Sequence, residues 1–216
     1  LDGTVTNYGV PRYRSLSGNH LNAISQGKRN KYLFLHVKTN QSNIDIYMHA
    51  KHKFFLEDEK LEKEGKVSQD IQTINEQFTF DGKQNKTYTL EKIVSIYTSK
   101  DQDTSDAEQE GSDALADSGR YSELFEKSKK AWAGLWEKAD FVIDGDRFAQ
   151  KAVRLYIYHL LVTYSPHSTN LDVGIPARGL HGEAYRGHIF WDELFVLPFY
   201  DQHFPEVTRA DLMYRY

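Results

Sequence analysis

Lys100-Asp-Gln-Asp-Thr-Ser-Asp-Ala-Glu-Gln-Glu-Gly-Ser-Asp-Ala-Leu-Ala-Asp-Ser-Gly119 is the stretch on which the fold turns. It is rich in Asp, Ser, Glu and Gly, and Leu115 is its one large apolar residue. Such a segment buries little and reads as a linker, with a short helix signalled by the capping box Ser105-x-x-Glu108. The apolar pattern differs on its two sides. Before it the period is two, as in strands; after it the period is near 3.6, as in helices. Strands, then a linker, then helices describe a multidomain chain of β class followed by α class.

On the N-terminal side, Tyr32–Thr39, Ile44–His49, Ile71–Phe80 and Tyr88–Tyr97 are rich in β-branched and aromatic residues, and several alternate apolar with polar. Asp81-Gly82 and the polar run at 83–86 predict a hairpin turn between the last two. Tyr8–Leu21 predicts a further strand or two. Glu57–Lys66 has too few apolar residues for a core element and reads as a solvated excursion. Antiparallel sheets packed as a sandwich are the expected outcome.

On the C-terminal side, Tyr121, Leu124, Phe125, Ser128, Trp132, Leu135 and Trp136 fall at helical spacing, with both tryptophans on one face as core packing. A second helix is predicted from Asp146 as N-cap, with the stripe Phe148, Ala152, Leu155, Tyr156 and Leu160. Ser165–Gly187 has no regular period and contains Pro166, Pro176 and four glycines. Irregular loops of this length in compact domains are usually functional or disordered, and this one runs into the densest aromatic stretch. Helix resumes near Phe190, is disturbed at Pro198 and restarts at Pro205.

The 216-residue chain carries 27 Lys plus Arg against 31 Asp plus Glu, for a net charge of −4. That balance offers no basic footprint for nucleic acid. No apolar run is long enough to span a membrane. Without cysteine there are no disulfides, cysteine nucleophiles or thiolate metal sites. His49 and His52 have no carboxylate at metal spacing, so no metal is expected. The chain opens at Leu1 without Met and closes in an uncapped helical pattern, and it reads as a fragment of something longer.

The functional signal lies in residues 177–200. Arg178, His181, Glu183, Arg186, His188 and Asp192 crowd into residues 178–192 among glycines and aromatics. Desolvating so many polar groups is costly unless they bind one another or a polar ligand. Trp191-Asp192 points to a sugar: an indole stacks on the apolar face of a pyranose, and a carboxylate accepts from two vicinal hydroxyls. The structural alternative makes Trp191 core and Asp192 a helix N-terminal residue favoured by the macrodipole. For Arg178, His181, Arg186 and His188 the alternative is loop scaffolding, with Arg–carboxylate pairs to Glu183 or Asp172. Gly179, Gly182 and Gly187 are expected to permit positive φ or close backbone approach. His159 reads as a satisfied core histidine, and Ser165-Pro-His-Ser168 as a turn.

The motif Gly179-Leu-His-Gly182-Glu-Ala-Tyr185-Arg-Gly187-His188-Ile-Phe190-Trp191-Asp192 resembles the signature that opens the catalytic domain of glycoside hydrolase family 65. Trp132-x-x-x-Trp136, Ile143-Asp-Gly-Asp146, Gln150 and Tyr158-His-Leu-Leu161 are similar to that family's passage from linker helix into barrel. Lys92–Asp101 resembles the end of its N-terminal sandwich. The family holds maltose, trehalose and kojibiose phosphorylases and acid trehalases.

The resemblance implies the latter part of an antiparallel β-sandwich over 1–100, a linker with a helix over 101–140, and the first helices of an incomplete (α/α)6 barrel over 141–216. It implies an inverting enzyme that cleaves an α-linked glucose disaccharide, with inorganic phosphate as co-substrate or water as nucleophile and no cofactor. Trp191 and Asp192 would hold the glucosyl unit in the −1 subsite, with Arg178, His181, Arg186 and His188 around it. The proton-donating glutamate is expected beyond Tyr216, so no catalytic residue is assigned here and the fragment alone is expected to be inactive. Glu183 and Glu193 do not occupy the acid position, and Glu193 departs from the family's Phe-Trp-Asp-Thr-Glu pattern by following Asp192 directly. A cytoplasmic homodimer is implied by the resemblance alone. The competing readings are a non-catalytic carbohydrate-binding or assembly module and an unrelated (α/α)6 glycosidase.

Overall fold

The computed structural model describes residues 1–5, 19–101, 104–179 and 185–216. These divide into two compact units, with the break between Glu126 and Lys127.

The first unit contains β1 (Leu21–Arg29), β2 (Tyr32–Thr39), β3 (Asp45–Leu56), β4 (Glu59–Leu61), β5 (Lys66–Asp70), β6 (Thr73–Gln77), β7 (Tyr88–Thr98) and α1 (Ala107–Asp117). Five strands form one antiparallel sheet in the order β1-β2-β3-β4, with β7 on the other side of β3. The period-two pattern of β2 places Leu33, Leu35 and Val37 on one face, at most 2% exposed. They pack with Ala50 of β3 and Ile74 of β6 into the core of this unit. Each of the larger aliphatic side chains contributes about 1.5–3 kcal/mol by leaving water.

Two strand expectations fail here. The hairpin predicted at 81–86 does not form. β7 pairs with β3 from Tyr88↔Leu56 to Thr98↔Ile46, while β6 pairs with β5. The long ladder to β3 replaces the local pairing. In the expected strand Ile71–Phe80 only Thr73–Gln77 is extended, and Ile71 is 82% exposed. The expected solvated excursion contains β4 and leads into β5, which is mostly exposed and therefore lacks a strong apolar signature. Most of the strand expected at Tyr8–Leu21 lies outside the described residues.

α1 occupies the stretch read as a linker, and it packs on the sheet. Its N-cap is Asp106, one residue later than predicted; Oδ1 accepts from the Glu108 and Gln109 N–H groups at 3.1 Å. Leu115 is its buried anchor. The rest of the docking is polar: Ser95 Oγ donates to the Gly111 carbonyl at 2.6 Å and Lys51 Nζ to the Leu115 carbonyl at 2.5 Å. A cation at the C-terminal carbonyls also suits the helix dipole. Gly111 permits the close approach, because a Cβ there would lie 3.0 Å from His49 Nδ1.

The second unit is helical. α2 (Tyr121–Ala139) passes into it, followed by α3 (Arg147–Thr163), α4 (Glu193–His203) and α5 (Pro205–Arg215). Asp146 caps α3 as predicted, accepting from the N–H groups of Phe148 and Ala149 at 2.9 Å. Ala139, Ile157, Leu161, Tyr164, Ile175, Tyr200, Phe204 and Val207 form the core, with Trp132, Leu135 and Trp136 packed against it.

The buried face of α3 is a correction. It centres on Ile157 and Leu161, while Phe148 is 84%, Leu155 50% and Tyr156 65% exposed. α3 is apolar on more than one face, so periodicity alone did not select the inner one. Pro198 sits inside α4 without ending it, and Pro205 takes the first position of α5. Among the described residues no helix is long and apolar enough to cross a membrane.

Candidate functional site

The second unit contains a cleft of about 160 Å³ where the end of α3, the loop at 175–179 and the start of α4 converge. Arg178 and Asp192 line it together, with His159 and Thr163 from α3 and Glu193 from α4. The supporting frame is built from buried tyrosines and a buried carboxylate. Tyr200 Oη donates toward the carbonyls of Leu160, at 2.8 Å, and Tyr164, at 2.9 Å, gripping the end of α3. Tyr164 Oη donates to the Val173 carbonyl at 3.0 Å. Burial, reinforced by Asp211, pushes the Tyr164 phenol up to about 12. The same desolvation raises Tyr200 further, so both remain protonated donors. Asp211, 1% exposed, accepts from the Ile175 N–H at 3.1 Å and so fixes the loop that leads to Arg178. Burial raises the Asp211 carboxyl above its usual range.

Asp192 stands at the N-terminal end of α4, yet it does not cap the helix. Its backbone is helical, with φ −55° and ψ −31°, and its side chain makes no capping bond. The carboxylate is therefore available to a ligand. Glu193 Oε1 accepts from Arg215 Nη2 at 2.5 Å, which ties α5 to the first turn of α4. Its Oε2 is buried and has no partner among the described residues.

The remaining predicted residues separate. Trp191 is 68% exposed, meets Phe195 edge-on at 5.2 Å and does not line the cleft. His188 is exposed, with Nδ1 2.6 Å from the Tyr185 carbonyl and its ring stacked on Phe190 at 5.9 Å. His181 and Glu183 lie outside the described residues, as does the Arg186 side chain. Gly187 has the expected positive φ, 71°, and Gly182 is outside the described residues. Ser165-Pro-His-Ser168 forms a capped 3-10 turn. His159, which its sequence context places in the core, lines the cleft, and Thr163 lines it without a signal in the sequence. Helical spacing links them, at i and i+4, but nothing marked that face as the one facing loop 175–179. Among the described residues, no group of His, Asp and Glu is arranged to hold a metal ion.

Residues 1–135 match the glycosyl hydrolase family 65 N-terminal domain, and residues 154–216 match the family 65 central catalytic domain. The chain belongs to glycosyl hydrolase family 65. Its relatives in the family include an uncharacterized glycosyl hydrolase of Mycobacterium tuberculosis, 38% identical over the whole chain, which covers 16% of that protein. Kojibiose phosphorylase of Halothermothrix orenii is 32% identical over the whole chain, which covers 28% of it. Trehalose 6-phosphate phosphorylase of Lactococcus lactis is 34% identical over 99% of the chain and 27% of the relative. The chain thus spans between about a sixth and just over a quarter of the length of these relatives. A solved structure from the human microbiome, named for kojibiose phosphorylase, superposes with TM-score 0.80 at 23% identity, over all of this chain and 27% of that one. It supports the fold: part of a β-sandwich followed by the opening helices of a helical barrel.

Proposed function

We propose that this chain is the part of an inverting α-glucoside-cleaving enzyme that holds the glucosyl unit to be transferred. The observation that carries the reading is the carboxylate of Asp192, which makes no capping bond, lining one cleft with Arg178. A carboxylate and a guanidinium lining one cleft accept from and donate to sugar hydroxyls, fixing a ring by hydrogen bonds of both senses. Trp191 does not line that cleft, but it is exposed and directly precedes Asp192, and it is the side chain offered for stacking; Arg178, His181, Arg186 and His188 supply the polar surround. Glu193, held by Arg215, positions Asp192 by anchoring the first turn of α4.

The substrate is an α-linked glucose disaccharide, and inorganic phosphate is the favoured nucleophile because the named relatives include kojibiose and trehalose 6-phosphate phosphorylases. The reaction needs a carboxylic acid to protonate the departing oxygen. No residue of this chain is assigned that role. Residues 1–100 are the sandwich part, 101–140 the connecting segment with α1, which packs on the sheet, and α2, and 141–216 the beginning of the barrel. The family resemblance is what supports a cytoplasmic address and a homodimer.

The test is to assay the full-length gene product on kojibiose, maltose, trehalose and nigerose, with and without phosphate. Asp192→Asn should lower kcat/KM by about 100-fold or more, and Trp191→Ala by a similar factor, with the fold unchanged by circular dichroism. Near-normal activity in either variant would overturn the assignment.

A further inference from the structure

β2 leaves β3 at the pair Leu33↔Ala50, and β4 joins the same side of β3 at Leu61↔Phe54. On that side of β3 no strand among the described residues pairs with Lys51–Lys53, and a cavity of about 490 Å³ lies there. Lys28, Lys31, Lys51, Lys53, Lys60 and Lys63 line this cavity against three glutamates, in a chain whose net charge is −4. Glu76 is already engaged: Lys28 Nζ lies 2.6 Å from Oε1 and His52 Nδ1 2.8 Å from Oε2. Glu62 pairs with Lys60 at 2.5 Å. Lys31 and Lys63 form no ion pair among the described residues. Lys51 and Lys53 each donate one hydrogen bond, to the carbonyls of Leu115 and Gly119, and keep two further N–H groups. Excess positive charge with free donors in a concave site favours a multiply charged oxyanion.

A second cavity, of about 610 Å³, adjoins the first, and Asn30, Lys31, Tyr32 and Ala116 line both. Its chemistry is different. Arg29 is bridged to Glu108 at 2.9 Å, and Gln109, Ser112 and Asp113 of α1 face the rings of Tyr32 and Phe34. His49, 5% exposed, lines the same cavity, and its Nδ1 has no hydrogen-bond partner among the described residues. Burial lowers the His49 pKa and keeps the imidazole neutral. Mixed charge, amide and hydroxyl groups beside aromatic rings suit an uncharged, hydroxyl-rich moiety. A long polyanion would instead meet the carboxylates of Asp106, Glu108 and Asp113.

We propose that the two cavities form one binding site for a phosphorylated sugar, with its phosphoryl group among the lysines and its ring against Tyr32 and α1. The site lies wholly within residues 28–116 and does not depend on the glucosyl reading at Asp192.

Calorimetric titration of the 216-residue chain with glucose 6-phosphate, glucose 1-phosphate, glucose and inorganic phosphate tests this. A sugar phosphate should bind at least about tenfold more tightly than glucose or phosphate, and Lys31→Glu with Lys63→Glu should weaken it by at least about tenfold. Both lysines are exposed, and unchanged thermal unfolding would show that the variant folds. Asp113→Ala should weaken the sugar phosphate and leave phosphate alone. Asp192→Asn should bind glucose 6-phosphate as tightly as the parent chain. Absence of binding by both sugar phosphates, or binding that survives the charge reversal, would overturn the site. Loss of binding in Asp192→Asn would move it to the cleft of the helical unit. Inorganic phosphate binding as tightly as the sugar phosphates would overturn the sugar half.

Discussion

Arg215 Nη2 lies 2.5 Å from Glu193 Oε1, joining the last turn of α5 to the residue that follows Asp192. The Glu193 side chain is 12% exposed and the arginine 47%, so the carboxylate is the buried partner. Arg215→Ala would leave that carboxylate without its counter-charge and free the start of α4. In the full-length product, kcat/KM should fall by about tenfold through misplacement of Asp192. Arg215→Lys should recover part of it. Steady-state kinetics on the preferred disaccharide would decide, and an unchanged kcat/KM would remove Glu193 from the positioning role.

Tyr200→Phe deletes one hydroxyl that serves two carbonyls at the end of α3. The ring still fills its place, so the cost is that of the lost hydrogen bond in a buried setting, about 1–2 kcal/mol. The midpoint of urea unfolding measures it.

Asp211 makes stability depend on pH. Its carboxyl is raised above the ordinary value of 3.8, chiefly by burial, with the Ile175 N–H opposing. Below 3.8 the group is protonated in both the folded and the unfolded chain. As pH rises past 3.8 the unfolded chain ionises first, and folded stability falls until the folded carboxyl ionises as well. Asp211→Asn lacks this term. Its Tm relative to the parent chain should therefore rise between pH 4 and pH 7, and a difference constant across that range would refute the buried-acid reading.

Asp146→Ala removes the side chain that accepts from the Phe148 and Ala149 N–H groups at the start of α3. A loss of about 1 kcal/mol is expected, while Asp146→Asn should lose less. Chemical denaturation of both variants tests it.

The helical unit leaves large apolar side chains in solvent: Phe148 at 84%, Phe195 at 71%, Trp191 at 68% and Leu194 at 64%. Exposed apolar side chains of this size favour association. The isolated chain should bind a hydrophobic dye and self-associate on sizing chromatography. A dye-silent monomer would contradict it.

Local chemistry made much of this protein legible from its sequence. The alternation in Tyr32–Thr39 gave β2 and its buried face, because only period two turns Leu33, Leu35 and Val37 to one side. Asp146 and Pro205 announced helix starts for equally local reasons: one offers an acceptor to free N–H groups, and the other presents no N–H to satisfy. Trp191-Asp192 and the motif leading to it pointed to the family. Pairing and facing were decided only by the tertiary structure. β7 took β3 as its partner past three intervening strands, because the ladder from Tyr88↔Leu56 to Thr98↔Ile46 outweighs a short local hairpin. α1 docked through carbonyl contacts from Ser95 and Lys51, which leave no apolar stripe to read. Arg178 and Asp192 share a cleft because Tyr164, Tyr200 and Asp211 hold loop and helices together, and such long-range contacts have no period in the sequence.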